Sequence, residues 1–305
     1  MRIVVNGQQA FGQSVLEALL ERGEEVIAVY CAPEKEGQRP DPLREAAQAR
    51  GLPVFQPKSF RKEEVWEAFR ALKPDLCVMA YVTLFVPEEF LNIPTHGTIQ
   101  YHPSLLPKHR GPSSINWPII QGSSKTGLSI FWPDNGLDTG PILLQKEVAI
   151  GPDDTLGTIY FDKLFPMGVE AMLEAVDLVR DGKAPKTVQD ESQQTYESWC
   201  KAEDVEIDWS QPAQDVYNLI RGANPQPGAW STHQGKKIQI FDSRLIAGGT
   251  GQPGEITAVD GDGFVVAANG GAIQISRVKP EDGKKMTAGE FAQSASLATG
   301  ARLGS

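Results

Sequence analysis

Three cysteines in 305 residues, at positions 31, 77 and 200, are too few and too scattered for a disulfide framework or a cysteine-built zinc site. That scarcity fits a reducing, cytoplasmic setting. Long apolar runs are missing as well. The best stretches, Leu76–Tyr81 and Gly263–Ala268, fall far short of the ~18–20 residues that a membrane span needs. The chain enters a strand-like segment at Ile3 without a signal-peptide layout. Positive charge is in deficit, with 29 Lys+Arg against 39 Asp+Glu and a net charge of −10. This balance disfavours a protein that coats nucleic acid, while leaving room for a local basic groove. What is present, 40% apolar residues, is enough for a sizeable core, and the length suits two domains.

Strand and helix signals alternate through the first third of the chain. Ile3–Val5 precedes an amphipathic stretch carrying Val15, Leu16, Leu19 and Leu20, which stops at Gly23 before a second strand, Val26–Tyr30. Leu43–Arg50 and Glu63–Leu72 read as helices, and Leu76–Tyr81 as a strand buried on both faces. Thr98–Tyr101 and Gly127–Phe131 are later strands, and Leu143–Ile150 a hairpin partner for the second of them. Thr155–Val179 has a helical pattern interrupted at Pro166. The first part is therefore α/β and doubly wound. Beyond about residue 185 the composition changes. Lys186–Asp204 is polar and linker-like, Ala213–Arg221 is a short helix, and strands follow at Lys237–Asp242, Gly254–Val259, Gly263–Ala268 and Ala272–Val278. Short strands between turn signals predict a small β-barrel. The expected division is 1–185, a linker 186–204, and 205–305.

The glycines at 7 and 12 lie where phosphate-binding loops occur, between the first strand and first helix. The lysine of such a loop is replaced by Gln13, and the middle glycine of the dinucleotide pattern by Gln9. A tight turn is the plainer reading.

The chemistry-bearing stretch is Gln100-Tyr101-His102-Pro103-Ser104-Leu105-Leu106-Pro107-Lys108-His109-Arg110-Gly111, with Gly136-Leu137-Asp138-Thr139-Gly140 further on. His102 stands just past a strand end, where open α/β sheets place their sites. A histidine in such a place needs a partner to fix its tautomer, and Asp138, in a loop flanked by glycines, is the best-placed carboxylate. His96 and His233 lack a partner pattern, and His109 reads as surface. His102 and His109, in a proline-bearing loop without nearby cysteine, make a poor metal pair. Cys77 reads as an inert core thiol.

These two motifs resemble the signature of the 10-formyltetrahydrofolate-dependent formyltransferase family. That family includes methionyl-tRNA formyltransferases, sugar-nucleotide formyltransferases and the N-terminal hydrolase domain of 10-formyltetrahydrofolate dehydrogenase, which the chain resembles most. The resemblance extends through Ser129-Ile130-Phe131-Trp132, Leu164-Phe165-Pro166, Asp208-Trp209, Arg221-Gly222, Pro227-Gly228-Ala229-Trp230 and Glu281-Asp282-Gly283-Lys284. It implies a Rossmann-like formyltransferase domain followed by an OB-like barrel. It implies His102 as the catalytic histidine and Asp138 as the aspartate that orients it. Gln100 would then take the place of an asparagine in the transferases and of an apolar residue in the hydrolase domain. Met79, Ala80, Tyr81, Phe85 and Val86 would flank the pteridine of the formyl donor, with Ser104, Leu105 and Leu106 nearby. Asn135, Gly136 and Leu137, with Asp138, would meet its polar edge. The resemblance implies neither a metal nor NAD(P).

Three acceptors remain open: water, a small amine such as an amino sugar, and Met-tRNA. The tRNA enzymes carry a basic insertion where this chain has Ala32–Asp41, short and of mixed charge, so tRNA is disfavoured. With no carrier or aldehyde-dehydrogenase part after the barrel, an NADP-dependent dehydrogenase is not expected. A non-catalytic folate-binding or regulatory protein is the alternative from a different class. Oligomeric state is not legible.

Overall fold

The computed structural model describes residues 1–34, 37 and 39–304. In the mixed-charge loop after Cys31, Lys35, Glu36 and Gln38 lie outside the described residues.

The opening βαβ unit consists of β1 (Arg2–Gly7), α1 (Gln9–Glu21) and β2 (Glu25–Tyr30). Next come α2 (Pro42–Ala49), β3 (Val54–Phe55), α3 (Glu63–Ala71), β4 (Leu76–Ala80), α4 (Glu88–Leu91) and β5 (Thr98–His102). After α5 (Asn116–Ile120), β6 (Lys125–Phe131) and β7 (Ile142–Ala149) complete one seven-stranded sheet ordered β3-β2-β1-β4-β5-β6-β7. Pairing is parallel from β3 through β5 and antiparallel between β5 and β6. The expected parallel-rich α/β domain is present, and its strand order reverses between β1 and β4, where such sheets open a crevice at their carboxyl ends.

Burial on both faces explains the uninterrupted apolar run of β4, in which Leu76, Cys77, Val78 and Ala80 are inaccessible to solvent. Val4, Ala28, Tyr30, Cys77 and Met79 pack in one cluster with Phe60, Phe69 and Phe90. In a second aromatic group, Phe11 of α1 meets Tyr101 of β5 at 4.3 Å. The strand expected to reach Tyr81 ends at Ala80, because Tyr81 turns into the left-handed region (φ 64°) and its side chain is exposed. Pro166 does not end its helix. The run passes from α6 (Leu156–Thr158) through a π-helical segment, Ile159–Leu164, into α7 (Phe165–Arg180), placing Pro166 in a first turn that needs no N–H from it.

The loop between β1 and α1 is held by a side chain from further along the chain. The Asp41 carboxylate accepts the Gln9 N–H with both oxygens, at 3.0 and 2.9 Å, and also caps α2 through Leu43 N–H at 2.9 Å. A buried carboxylate of the chain itself thus occupies the anion-attracting start of α1.

In the later part, α8 (Ala213–Gly222) precedes β8 (Trp230–His233), β9 (Lys236–Ile240), β10 (Ser243–Ala247), β11 (Ile256–Val259), β12 (Phe264–Ala268), β13 (Gly271–Ile275), β14 (Arg277–Pro280), β15 (Met286–Thr287) and α9 (Ala288–Ser294). These strands form two four-stranded sheets, β10-β13-β12-β11 and β15-β14-β9-β8, with every recorded pairing antiparallel. The expected small C-terminal β domain is present, and it is antiparallel. Ala272–Val278 is two strands rather than one, because the Ser276 N–H leaves the ladder for Asp242 O. β8 and β10 are too short and too polar to announce themselves by alternation.

Two compact units interleave along the described chain. One comprises Met1–Gly111, Gly127–Val148 and Lys163–Tyr196, and the other Pro112–Thr126, Ala149–Asp162 and Glu197–Ser305. These contact units differ from the contiguous division at 185 and 204 expected from the sequence. The second unit draws in earlier segments through directed contacts. Asn116 Nδ2 donates to Gly222 O and Gln226 O, Arg221 Nη1 to Gly151 O and Asp154 O, and Tyr217 Oη to Asp153 Oδ1. Residues 186–196, expected as linker, belong to the first unit.

Asp41→Ala removes the shared cap of α1 and α2. It should lower the unfolding free energy by about 1–3 kcal/mol in urea titration.

Candidate active site

Strand geometry decides which residues share a face. Side chains alternate along β5, so Gln100 and His102 project together while Tyr101 projects to the other side, against Phe11. Gln100 is in register with Met79 on β4 and Phe131 on β6, and His102 with Ser129. Its carboxamide makes no hydrogen bond to the described residues.

The ring of His102 is buried, with Nδ1 3.6 Å from Asp138 Oδ2 and Nε2 2.9 Å from the carbonyl oxygen of His109. Asp138 Oδ2 also accepts the Gly111 N–H at 2.9 Å. Both ring nitrogens therefore face oxygen acceptors. A carbonyl can only accept, so in this geometry Nε2 carries the proton, and the imidazolium is the form with a proton for each acceptor. Sequence reading brought His102 and Asp138 together correctly. It placed His109 as surface, whereas the backbone of that residue holds the ring.

The motif between them is built for support. Ser129 Oγ, fully buried, donates to Ser104 O at 2.7 Å and accepts from Leu106 N–H at 3.1 Å and Gln145 Nε2 at 2.9 Å. Ser104 Oγ donates to Lys108 O, and Leu106 is buried. Leu105 packs close over Gly127, where a Cβ would lie 2.6 Å from its Cδ2. The Asp138 loop needs its glycine at 140, where a Cβ would stand 1.8 Å from Trp132 O. Asn135 Oδ1 accepts the Glu88 N–H, and Asp134 Oδ1 accepts from Gly136 N–H and Thr139 Oγ1, while Leu137 is exposed. On the other rim Met79, Ala80 and Val86 are buried. Tyr81 and Phe85 are about half exposed, and the Arg61 guanidinium lies 4.8 Å over the Phe85 ring.

Cysteine offers no competing nucleophile. Burial pushes the thiols of Cys31 and Cys77 up to about 12 and that of Cys200 to about 11. Among the described residues no group of three or more His, Cys, Asp or Glu side chains could hold a metal ion, and no helix is long and apolar enough to cross a membrane.

The family model of formyl transferase matches residues 1–176, and that of the formyl transferase C-terminal domain matches residues 200–296. The chain belongs to the formyl transferase family. Curated relatives of this chain include the mitochondrial 10-formyltetrahydrofolate dehydrogenase of Mus musculus, 41% identical over 95% of this chain and 33% of that protein. The chain thus spans about a third of the length of that dehydrogenase. Methionyl-tRNA formyltransferase of Geotalea daltonii is 39% identical, over all of this chain and 98% of that protein. Among solved structures, HypX from Aquifex aeolicus in complex with tetrahydrofolic acid shares the fold with a TM-score of 0.70 at 20% identity, covering 98% of this chain and 48% of that one. The N-formyltransferase from Helicobacter canadensis, in complex with folinic acid and dTDP-3-aminofucose, does so at 0.68 and 17%, covering 90% and 99%.

Sequence reading missed Ser129 and Gln145, and also Gln189, whose Nε2 donates to Asp138 O at 2.9 Å, as supports of the candidate site. Ser129 was quoted only inside a motif, and Gln189 lies in a polar stretch with no periodicity to single it out.

Ser129→Ala leaves the Leu106 N–H without its buried acceptor. It should cost about 1–3 kcal/mol of stability, read by urea unfolding, and should loosen the Ser104–Leu106 turn to proteolysis.

Proposed function

We propose that this chain transfers the formyl group of 10-formyltetrahydrofolate to water, giving formate and tetrahydrofolate, or to a small amine, with His102, Asp138 and Gln100 as its catalytic residues. The observation that carries the reading is the meeting of the His102 ring and the Asp138 carboxylate on the face of β5 that also bears the free carboxamide of Gln100. Membership in a folate-dependent formyl transfer family supports it. The folate occupies the carboxyl ends of β4 and β5, with Met79, Ala80, Tyr81, Phe85 and Val86 along the pteridine. Asn135, Gly136 and Leu137 meet its polar edge, and Ser104, Leu105 and Leu106 form the floor beneath. Mostly apolar walls with a few converging polar groups suit a flat heterocycle.

In the reaction the nucleophile adds to the formyl carbon, the carbonyl oxygen becomes an oxyanion, and the bond from carbon to N10 then breaks. The nucleophile gives up one proton and N10 gains one. His102 relays it: turned from His109 O and in the tautomer with its other proton on Nδ1 toward Asp138, it takes the nucleophile's proton on Nε2 and then gives it to N10, while Asp138 balances the charge on the ring. The Gln100 amide donates to the oxyanion. Its extra methylene relative to asparagine moves that donor, and this displacement biases the choice of acceptor. The reaction consumes neither metal nor NAD(P). The three unpaired thiols fit a cytoplasmic setting.

Near-complete coverage of the Geotalea enzyme favours a second reading, formylation of Met-tRNA. The net charge of −10 weighs against it. Incubation with the formyl donor alone, with amines and with Met-tRNA, following tetrahydrofolate release, separates the acceptors. Folate binding with no turnover under any of these conditions would establish a non-catalytic folate-binding protein instead.

His102→Ala should reduce turnover by about 10²–10⁴-fold while folate binding is retained, and an unchanged rate would sink the mechanism. Gln100→Asn should raise amine formylation relative to hydrolysis. A constant ratio of the two products counts against the role given to Gln100.

A further inference from the structure

Residues 187–196 contain a buried polar side chain that the mechanism above does not use. Gln189 Nε2 donates to Asp138 O at 2.9 Å and to Gly140 O at 2.7 Å, so one amide grips the Asp138 loop on both sides of Thr139. Its Oε1 accepts from Arg110 Nε at 3.3 Å and Nη2 at 2.8 Å. Arg110 is buried too, and it reaches Glu191 through both terminal nitrogens, at 3.0 and 2.7 Å, and Gln194 at 2.7 Å. Arg110 beside it holds the Glu191 carboxyl below the usual carboxylate range. The backbone closes the same connection, with Arg110 N–H donating to Thr195 O at 3.0 Å and His109 N–H to Thr195 Oγ1 at 2.8 Å.

The neighbours of Arg110 give this arrangement its meaning. His109 supplies the carbonyl that holds His102 Nε2, and Gly111 supplies the N–H that holds Asp138 Oδ2. The middle residue of that tripeptide is fastened to Gln189, which is fastened to the backbone of Asp138 itself. Asp138 and His109 both lie in the left-handed region, at φ 58° and 56°. Side-chain-bearing residues stay in that conformation only when their surroundings hold them. Placement matters here because Nδ1 and Oδ2 are already 3.6 Å apart, at the far limit of a useful contact.

We infer that Gln189, anchored by Arg110, is the positioning residue that sets the His102–Asp138 contact. The stretch after α7 is therefore a strap that completes the catalytic pair. Gln189 touches neither substrate nor reacting atoms and acts through the Asp138 loop. The inference rests on the proposed formyl transfer for its kinetic consequence, and on the loop geometry alone for its spectroscopic one.

Two variants of the full chain test it. Gln189→Leu keeps the bulk and removes every hydrogen bond. Gln189→Glu keeps an acceptor for Arg110 and removes the two donations to Asp138 O and Gly140 O. Both should lower kcat by about 10–100-fold with the dissociation constant for tetrahydrofolate within about threefold of the parent, the split expected when a preorganised catalytic contact is lost. The chain has only four histidines. In ¹⁵N spectra the ring resonances of His102 should move in both variants while those of His96 and His233 stay in place. Moved His102 resonances in a chain whose parent turns over no formyl donor would uphold the strap and sink the proposed function. Parent-like kcat with unmoved His102 resonances overturns the strap. Global unfolding of both variants overturns it in favour of a role in stability alone.

Discussion

Everything at the candidate site depends on one tripeptide, His109-Arg110-Gly111. Its first carbonyl takes the Nε2–H of His102, its last N–H takes Asp138 Oδ2, and its middle side chain is tied to residues 189–194. Buried donors and acceptors left unmet cost more than the same groups gain when paired. A chain that has committed His102 and Asp138 to the interior must therefore keep this tripeptide in place. The turn between them supplies the means, since Ser129 and Gln145 meet the buried polar atoms of Ser104 and Leu106.

The sheet sets the stage for that contact by simple alternation. Parallel strands buried on both faces place Gln100 and His102 on one side and Tyr101 on the other, with Met79 as the neighbour of Gln100 in register. The antiparallel step to β6 brings Ser129 beside His102 and leads the chain, through the glycines of the Asp138 loop, back over the strand ends. At the other crevice wall, Asp41 fills the start of α1 with a carboxylate of the chain. At this turn of the Rossmann-like sheet, the backbone donor at the start of α1 is met by the chain's own carboxylate.

The acidic balance and the identity of the acceptor are linked through the same logic. A nucleic-acid partner would be held by phosphate contacts. This chain carries net negative charge, and Asp41 already accepts the backbone N–H at the start of α1. A small acceptor, water or amine, makes no such demand on charge. In the proposed reaction, chemistry at the formyl carbon depends on the reach of Gln100 and on how firmly the loop holds Asp138.

By itself, the sequence determined the main element types of the first domain, the run of short strands in the later part and the pairing of His102 with Asp138. Those features are written in residue type and local period: an apolar run for β4, a glycine-flanked acid, a histidine at a strand end. Only the tertiary structure decided that residues 112–126 and 149–162 belong with the later unit, that His109 acts through its carbonyl, and that Gln189 closes on the Asp138 loop. A backbone carbonyl has no residue type, and a lone glutamine in a polar stretch has no period. Their roles come from contacts between positions far apart in the chain, 86 residues for His109 and Thr195 at the strap. Such contacts exist only once the sheet has brought the strand ends together.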